Sequence, residues 1–101
     1  MRIFVTGIGV VSGIGLGVEE NIEAFRHMRH GMGKVTLFPT ELSVPVSEVK
    51  FTNEEIKKNL ALQSNKTYSR TALLGMLAAK EALNDSQLDT SSCRVGFISS
   101  T

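Results

Sequence analysis

The chain reads as an α/β protein, and three stretches carry that reading. Ile3, Phe4 and Val5 form a short apolar run rich in strand-forming residues. That run passes into a glycine-punctuated segment, with Gly7, Gly9, Gly13, Gly15 and Gly17, and then directly into a helical pattern. Near the other end, Arg94-Val95-Gly96-Phe97-Ile98-Ser99 has the same strand character. Strand, helices and strand in that order predict a parallel sheet flanked by helices. The first and last strands are expected to be neighbours in it, buried on both faces.

Composition sets the outer bounds. At 101 residues the chain holds at most one domain. Net charge is +1, with no basic run, so no electrostatic footprint for nucleic acid or an anionic membrane is expected. The glycines interrupt every apolar segment near the start, and neither a leader peptide nor a membrane span is read there. A single cysteine, Cys93, excludes an internal disulfide and fits a reducing, cytoplasmic compartment.

The first helix is predicted from Val18 to His30. Val18, Ile22, Phe25 and Met28 fall on one stripe, which should face a core. Glu19, Glu20 and Glu23 crowd its start and Arg26, His27, Arg29 and His30 its end, so both ends complement the helix dipole. Glu23 is placed to pair with Arg26 or His27. Gly31 stands where a left-handed C-cap is expected. From Met32 to Lys50 the pattern is weak. Pro39 and Pro45 limit this stretch to turns and edge pairing, with two brief strands or an irregular excursion expected and Val44, Val46 and Val49 as the extended piece.

A second helix opens on a capping box, Thr52 with Glu55, and a hydrophobic staple of Phe51 with Ile56. It is predicted to end near Leu60 or Leu62, with Lys57 and Lys58 on its solvent side. The third helix is predicted from Asn65 to Asn84. Its middle, TALLGMLAA, is apolar on every face and predicts burial. Gly75 inside it costs about 1 kcal/mol against alanine, which predicts close approach of another element. Two strands and three helices cannot cover such a helix and both faces of a sheet. The expectation is therefore the N-terminal part of a larger domain.

The stretch from Gly7 to Gly17 invites a phosphate-binding reading. A dinucleotide loop needs G-x-G-x-x-G, so that amides at a helix N-terminus meet a pyrophosphate. Gly7 and Gly9 supply the first pair, but Ser12 holds the third position and glycine follows one residue late. The short-chain reductase phrase T-G-x-x-x-G-x-G starts at Thr6-Gly7 and fails at Val11. A Rossmann-type nucleotide-binding module using this loop is the alternative reading.

The same stretch, Thr6-Gly7-Ile8-Gly9-Val10-Val11-Ser12-Gly13-Ile14-Gly15, closely resembles the opening V-T-G-x-G-x-x-S-P-x-G of the β-ketoacyl-acyl-carrier-protein synthases, best of all the elongating type II enzymes. Four further phrases agree in order and spacing. Arg29-His30-Gly31-Met32-Gly33 resembles the exit from the family's first helix, and Val46 to Phe51 its extended segment. Tyr68 to Ala72, continuing to Leu83, resembles its long central helix, and Arg94 to Ile98 the strand that follows. Gly13 stands where proline or alanine is common. Lys66, Thr67, Arg70 and Thr71 depart from the usual entry to the central helix. Leu62, Gln63 and Ser64 replace a basic cluster linked to carrier docking.

The resemblance implies a thiolase-like fold, truncated here before the catalytic cysteine, and a homodimeric parent partnered by acyl carrier protein. It implies acyltransferase chemistry, a decarboxylative Claisen condensation of fatty acid or polyketide type, with no cofactor and no metal. The family's nucleophilic cysteine and two histidines lie beyond Thr101, so no catalytic residue is expected within this chain.

Three groups of reactive side chains are therefore read as structural. Cys93 lies in the connection before the last strand, not at a nucleophile turn, and is expected to be an inert or surface thiol. His27 and His30 have the i, i+3 spacing of paired metal ligands but sit among arginines at a helix end, with nothing to complete a coordination shell. Lys57, Lys58, Lys66 and Arg70 suit either a solvated face or contact with an acidic carrier protein, and the solvated face is the expected reading.

Overall fold

The computed structural model describes residues 1–100, and it is a small mixed α/β arrangement of three helices and two small antiparallel sheets. The glycine segment folds on itself. β1 (Val11–Ser12) and β2 (Gly15–Leu16) pair antiparallel, with Val11 opposite Leu16 and Ser12 opposite Gly15, around Gly13 and Ile14. The second sheet pairs β3 (Met32–Gly33) with β4 (Val46–Ser47), Met32 opposite Ser47. These are the two brief strands expected in the weak region, and β4 includes Val46.

The expected parallel sheet does not form among the described residues. Ile3, Phe4 and Val5 belong to no strand and are 84%, 73% and 82% exposed. Residues 94–99 likewise belong to no strand, and Phe97 and Ile98 are exposed. An extended segment is held only by a hydrogen-bonded neighbour and a packed face. Here neither segment has either.

Helix α1 (Val18–Arg26) starts where predicted and stops short. The amide of Met28 donates to the Phe25 carbonyl at 3.0 Å, and that of Arg29 to the Ala24 carbonyl at 2.8 Å. Together they make a Schellman motif with Met28, at φ 48°, in the left-handed position. Gly31 is therefore not the cap. It is needed for close approach instead: a Cβ there would lie 2.7 Å from the Gly13 carbonyl carbon and 2.8 Å from Ser47 Oγ.

The burial of α1 also reverses the sequence expectation. Asn21 and Ala24 are buried, whereas Ile22, Phe25 and Met28 are exposed. The helix turns its polar-flanked side to the hairpin because Asn21 satisfies that side completely. Its Oδ1 accepts from Ser12 Oγ at 2.5 Å, and its Nδ2 donates to the carbonyls of Gly15 and Gly17 at 3.0 and 2.7 Å. A buried amide with every group bonded is a specific tie between helix and hairpin.

Helix α2 (Asn53–Asn59) has its predicted capping box in full. The Glu55 amide donates to Thr52 Oγ1 at 3.3 Å and the Thr52 amide donates to Glu55 Oε2 at 2.7 Å. The amide and then the hydroxyl of Thr52 hold the Glu55 carboxyl below the usual carboxylate range. The helix closes on Leu60 with a second Schellman motif, in which Ala61 takes φ 55°.

Helix α3 (Arg70–Ser86) begins five residues later than predicted, because the Ser69 hydroxyl caps it by accepting from the Ala72 amide. Its apolar middle is only partly buried in this chain, with Leu74, Met76 and Leu77 half-covered. Leu73 alone is fully covered, and a Cβ on Gly75 would meet nothing within 4 Å. Close approach to α3 occurs instead one to three turns further on, where Gly9 and Gly7 lie against Ala78, Ala82 and Ser86. The buried apolar residues are Ala24, Ile56 and Leu73, one on each helix. The radius of gyration is 15.9 Å, against about 13 Å for a compact chain of this length.

Candidate functional site

The glycine segment, α1 and α3 meet at one place, and α3 supplies the chemistry there. Glu81 and Asp85 are four residues apart and so lie on one face of the helix. That face meets the glycine segment. Glu81 Oε2 accepts from the Val10 amide at 2.9 Å, and Oε1 from the Val18 amide, in the first turn of α1, at 2.7 Å. Asp85 Oδ2 accepts from the Ile8 amide at 2.9 Å. Glu20 closes the set by accepting from the Leu16 amide at 2.7 Å. Carboxylates thus occupy the N-terminal end of α1 and the amides of the loop before it, where the helix dipole also favours negative charge.

The approach that makes these bonds possible depends on glycine. A Cβ on Gly9 would stand 2.8 Å from the Ala78 carbonyl carbon and 2.9 Å from the Ala82 amide nitrogen. No side chain fits there, so the loop backbone lies directly on α3. The same loop crosses into the hairpin, and the Gly17 amide donates back to the Val10 carbonyl at 2.8 Å. The amides of Ile8, Val10, Leu16 and Val18 are therefore taken by the chain's own carboxylates.

Beside this contact runs an open groove of about 850 Å³ between α1 and α3. Its apolar lining includes Ile8, Leu16, Ile22 and Leu77. Glu19 and Glu23 lie along it with Arg26 and Lys80. Lys80 Nζ donates to the Asn59 carbonyl at 2.7 Å, tying α3 to the end of α2.

The reactive residues singled out in the sequence are not gathered here. Cys93 is exposed in the turn after α3, its Sγ 3.2 Å from the Asp89 carbonyl oxygen. In that turn the hydroxyl and amide of Ser91, and then Ser92, hold the Asp89 carboxyl below its ordinary range. His27 lies 3.3 Å from Glu23 Oε2, and Glu23 also takes Arg26 at 2.7 Å, so both predicted pairings of Glu23 form. His30 is exposed. Among the described residues no group of three or more His, Cys, Asp or Glu is placed to hold a metal ion.

The basic residues divide. Lys57 is buried, contrary to the solvent-side expectation, because its ammonium donates to Glu54 at 2.9 Å and to the Ser64 carbonyl at 3.4 Å. Arg70 donates to Asn53 Oδ1 at 2.9 Å and to the Val49 carbonyl at 2.6 Å, locking the start of α3 to the start of α2. Lys58 and Lys66 are exposed as a solvated face requires. Two of the four cations thus hold the fold together.

Glu81 and Asp85 were not marked by the sequence pattern. They lie where polar residues return at the end of an apolar helix, which reads as a helix emerging into solvent. The clue was the absence of a side chain at Gly7 and Gly9, which pointed to a close neighbour without naming it. No family model, curated protein or solved structure matches the chain. Among the described residues no helix is long and apolar enough to cross a membrane.

Proposed function

We propose that the chain is the N-terminal part of a 3-oxoacyl-[acyl-carrier-protein] synthase of the elongating type II class. The observation that carries the reading is the order and spacing of five phrases from Thr6 to Ile98 that resemble that family. The occupied loop amides support it from another side. A glycine segment whose donors at Ile8, Val10 and Val18 are bonded to Asp85 and Glu81 is built as a packing joint, not as a phosphate cradle.

In the proposed parent the reaction is a decarboxylative Claisen condensation. A cysteine thiolate attacks the acyl thioester, displaces the carrier thiol and holds the acyl group. Malonyl-carrier protein loses carbon dioxide, and its α-carbon attacks the enzyme-bound thioester with return of the thiolate. Two histidines assist, and backbone amides stabilise the oxyanion. These groups belong to sequence beyond Thr101, and the reaction requires no cofactor. Acyl carrier protein is the proposed partner, the parent is proposed as a cytoplasmic homodimer, and the described segment supplies scaffold.

The test is a condensation assay with acyl- and malonyl-carrier protein, following release of carbon dioxide. The 101-residue chain is expected to give no turnover, and the polypeptide read on from Thr101 is expected to give turnover lost when its nucleophilic cysteine is replaced. Turnover by the chain alone, or a longer polypeptide lacking that cysteine and two histidines, overturns the reading. A saturable rise in NADPH fluorescence at micromolar ligand would instead favour the nucleotide-binding module.

A further inference from the structure

We draw no further inference here: the strongest candidate, the open apolar groove between α1 and α3, carries nothing, because Glu23 and Lys80 on its rim are already satisfied within the chain by Arg26 and the Asn59 carbonyl and nothing in the structure shows what covers it.

Discussion

Replacing Glu81 by glutamine tests whether the α3 carboxylate holds the glycine segment to the rest of the chain. Glu81 uses both oxygens, one for Val10 and one for Val18. Glutamine keeps the shape but offers one acceptor, so one amide must face an NH₂ group and lose its partner. A hydrogen bond to a charged group contributes about 1.5–3 kcal/mol. The contact is part-buried and water can reach the freed amide, which places the expected loss near the lower end, about 1.5–2 kcal/mol. For a domain of this size that is a fall in Tm of about 6–15 °C. Thermal and urea unfolding followed by circular dichroism measure the loss, with Glu23→Gln, whose ion pair with Arg26 is exposed, as the control. Hydrogen exchange locates it: the amides of Val10 or Val18 should exchange faster, while those of α2 should not. A Glu81→Gln variant within about 0.5 kcal/mol of the parent, with unchanged exchange at both amides, would refute the reasoning.

Three further outcomes follow from the same geometry. Gly9→Ala should destabilise by about 1–3 kcal/mol, because its Cβ meets the α3 backbone at Ala78 and Ala82, whereas Gly75→Ala, opening onto free space, should stabilise by up to about 1 kcal/mol; paired urea titrations compare them. Thr52→Ala removes the hydroxyl half of the capping box and should cost about 0.5–2 kcal/mol, read as earlier loss of α2 helicity. Glu48 is held down to about 2 by the Lys50 ammonium and the Thr36 hydroxyl, from an ordinary value of 4.5. A depressed folded-state value means that its contribution to stability is present above pH 4.5 and lost as pH falls toward 2. Glu48→Gln should therefore flatten the stability profile in that window, and carboxyl carbon titration by NMR should place the Glu48 midpoint well below its ordinary value of 4.5.

Local structure was legible because its causes are local. Thr52 and Glu55 are three residues apart, and the bonds of a capping box reach no further than that. Glu23 finds Arg26 and His27 for the same reason. The helix ends were harder to read. Met28 and Ala61 accept left-handed backbone that propensity reserves for glycine, because the Schellman bonds to Ala24, Phe25, Lys57 and Lys58 stabilise the turn. Gly31 meanwhile serves a contact with Gly13 and Ser47 that lies far along the chain. The stripe of Val18, Ile22, Phe25 and Met28 is a true helical period, yet periodicity states which residues share a face and not what that face meets.

By itself the sequence determined three helices, a capping box, a structural role for the glycines of the first segment, and the absence of a dinucleotide register. Only the tertiary structure decided what lies against those glycines. Glycine at positions 7 and 9 permits a backbone to approach, but Ala78, Ala82, Glu81 and Asp85 are more than sixty residues away, and no spacing rule links positions so far apart. Tertiary structure also decided that Lys57 and Arg70 are internal ties, that Ile3–Val5 lack cover within the chain, and that the apolar middle of α3 is only partly covered. The physical reason is common to all of these. Hydrogen bonding within a turn is set by neighbours in sequence, whereas burial and charge pairing depend on which distant surface folding brings into contact.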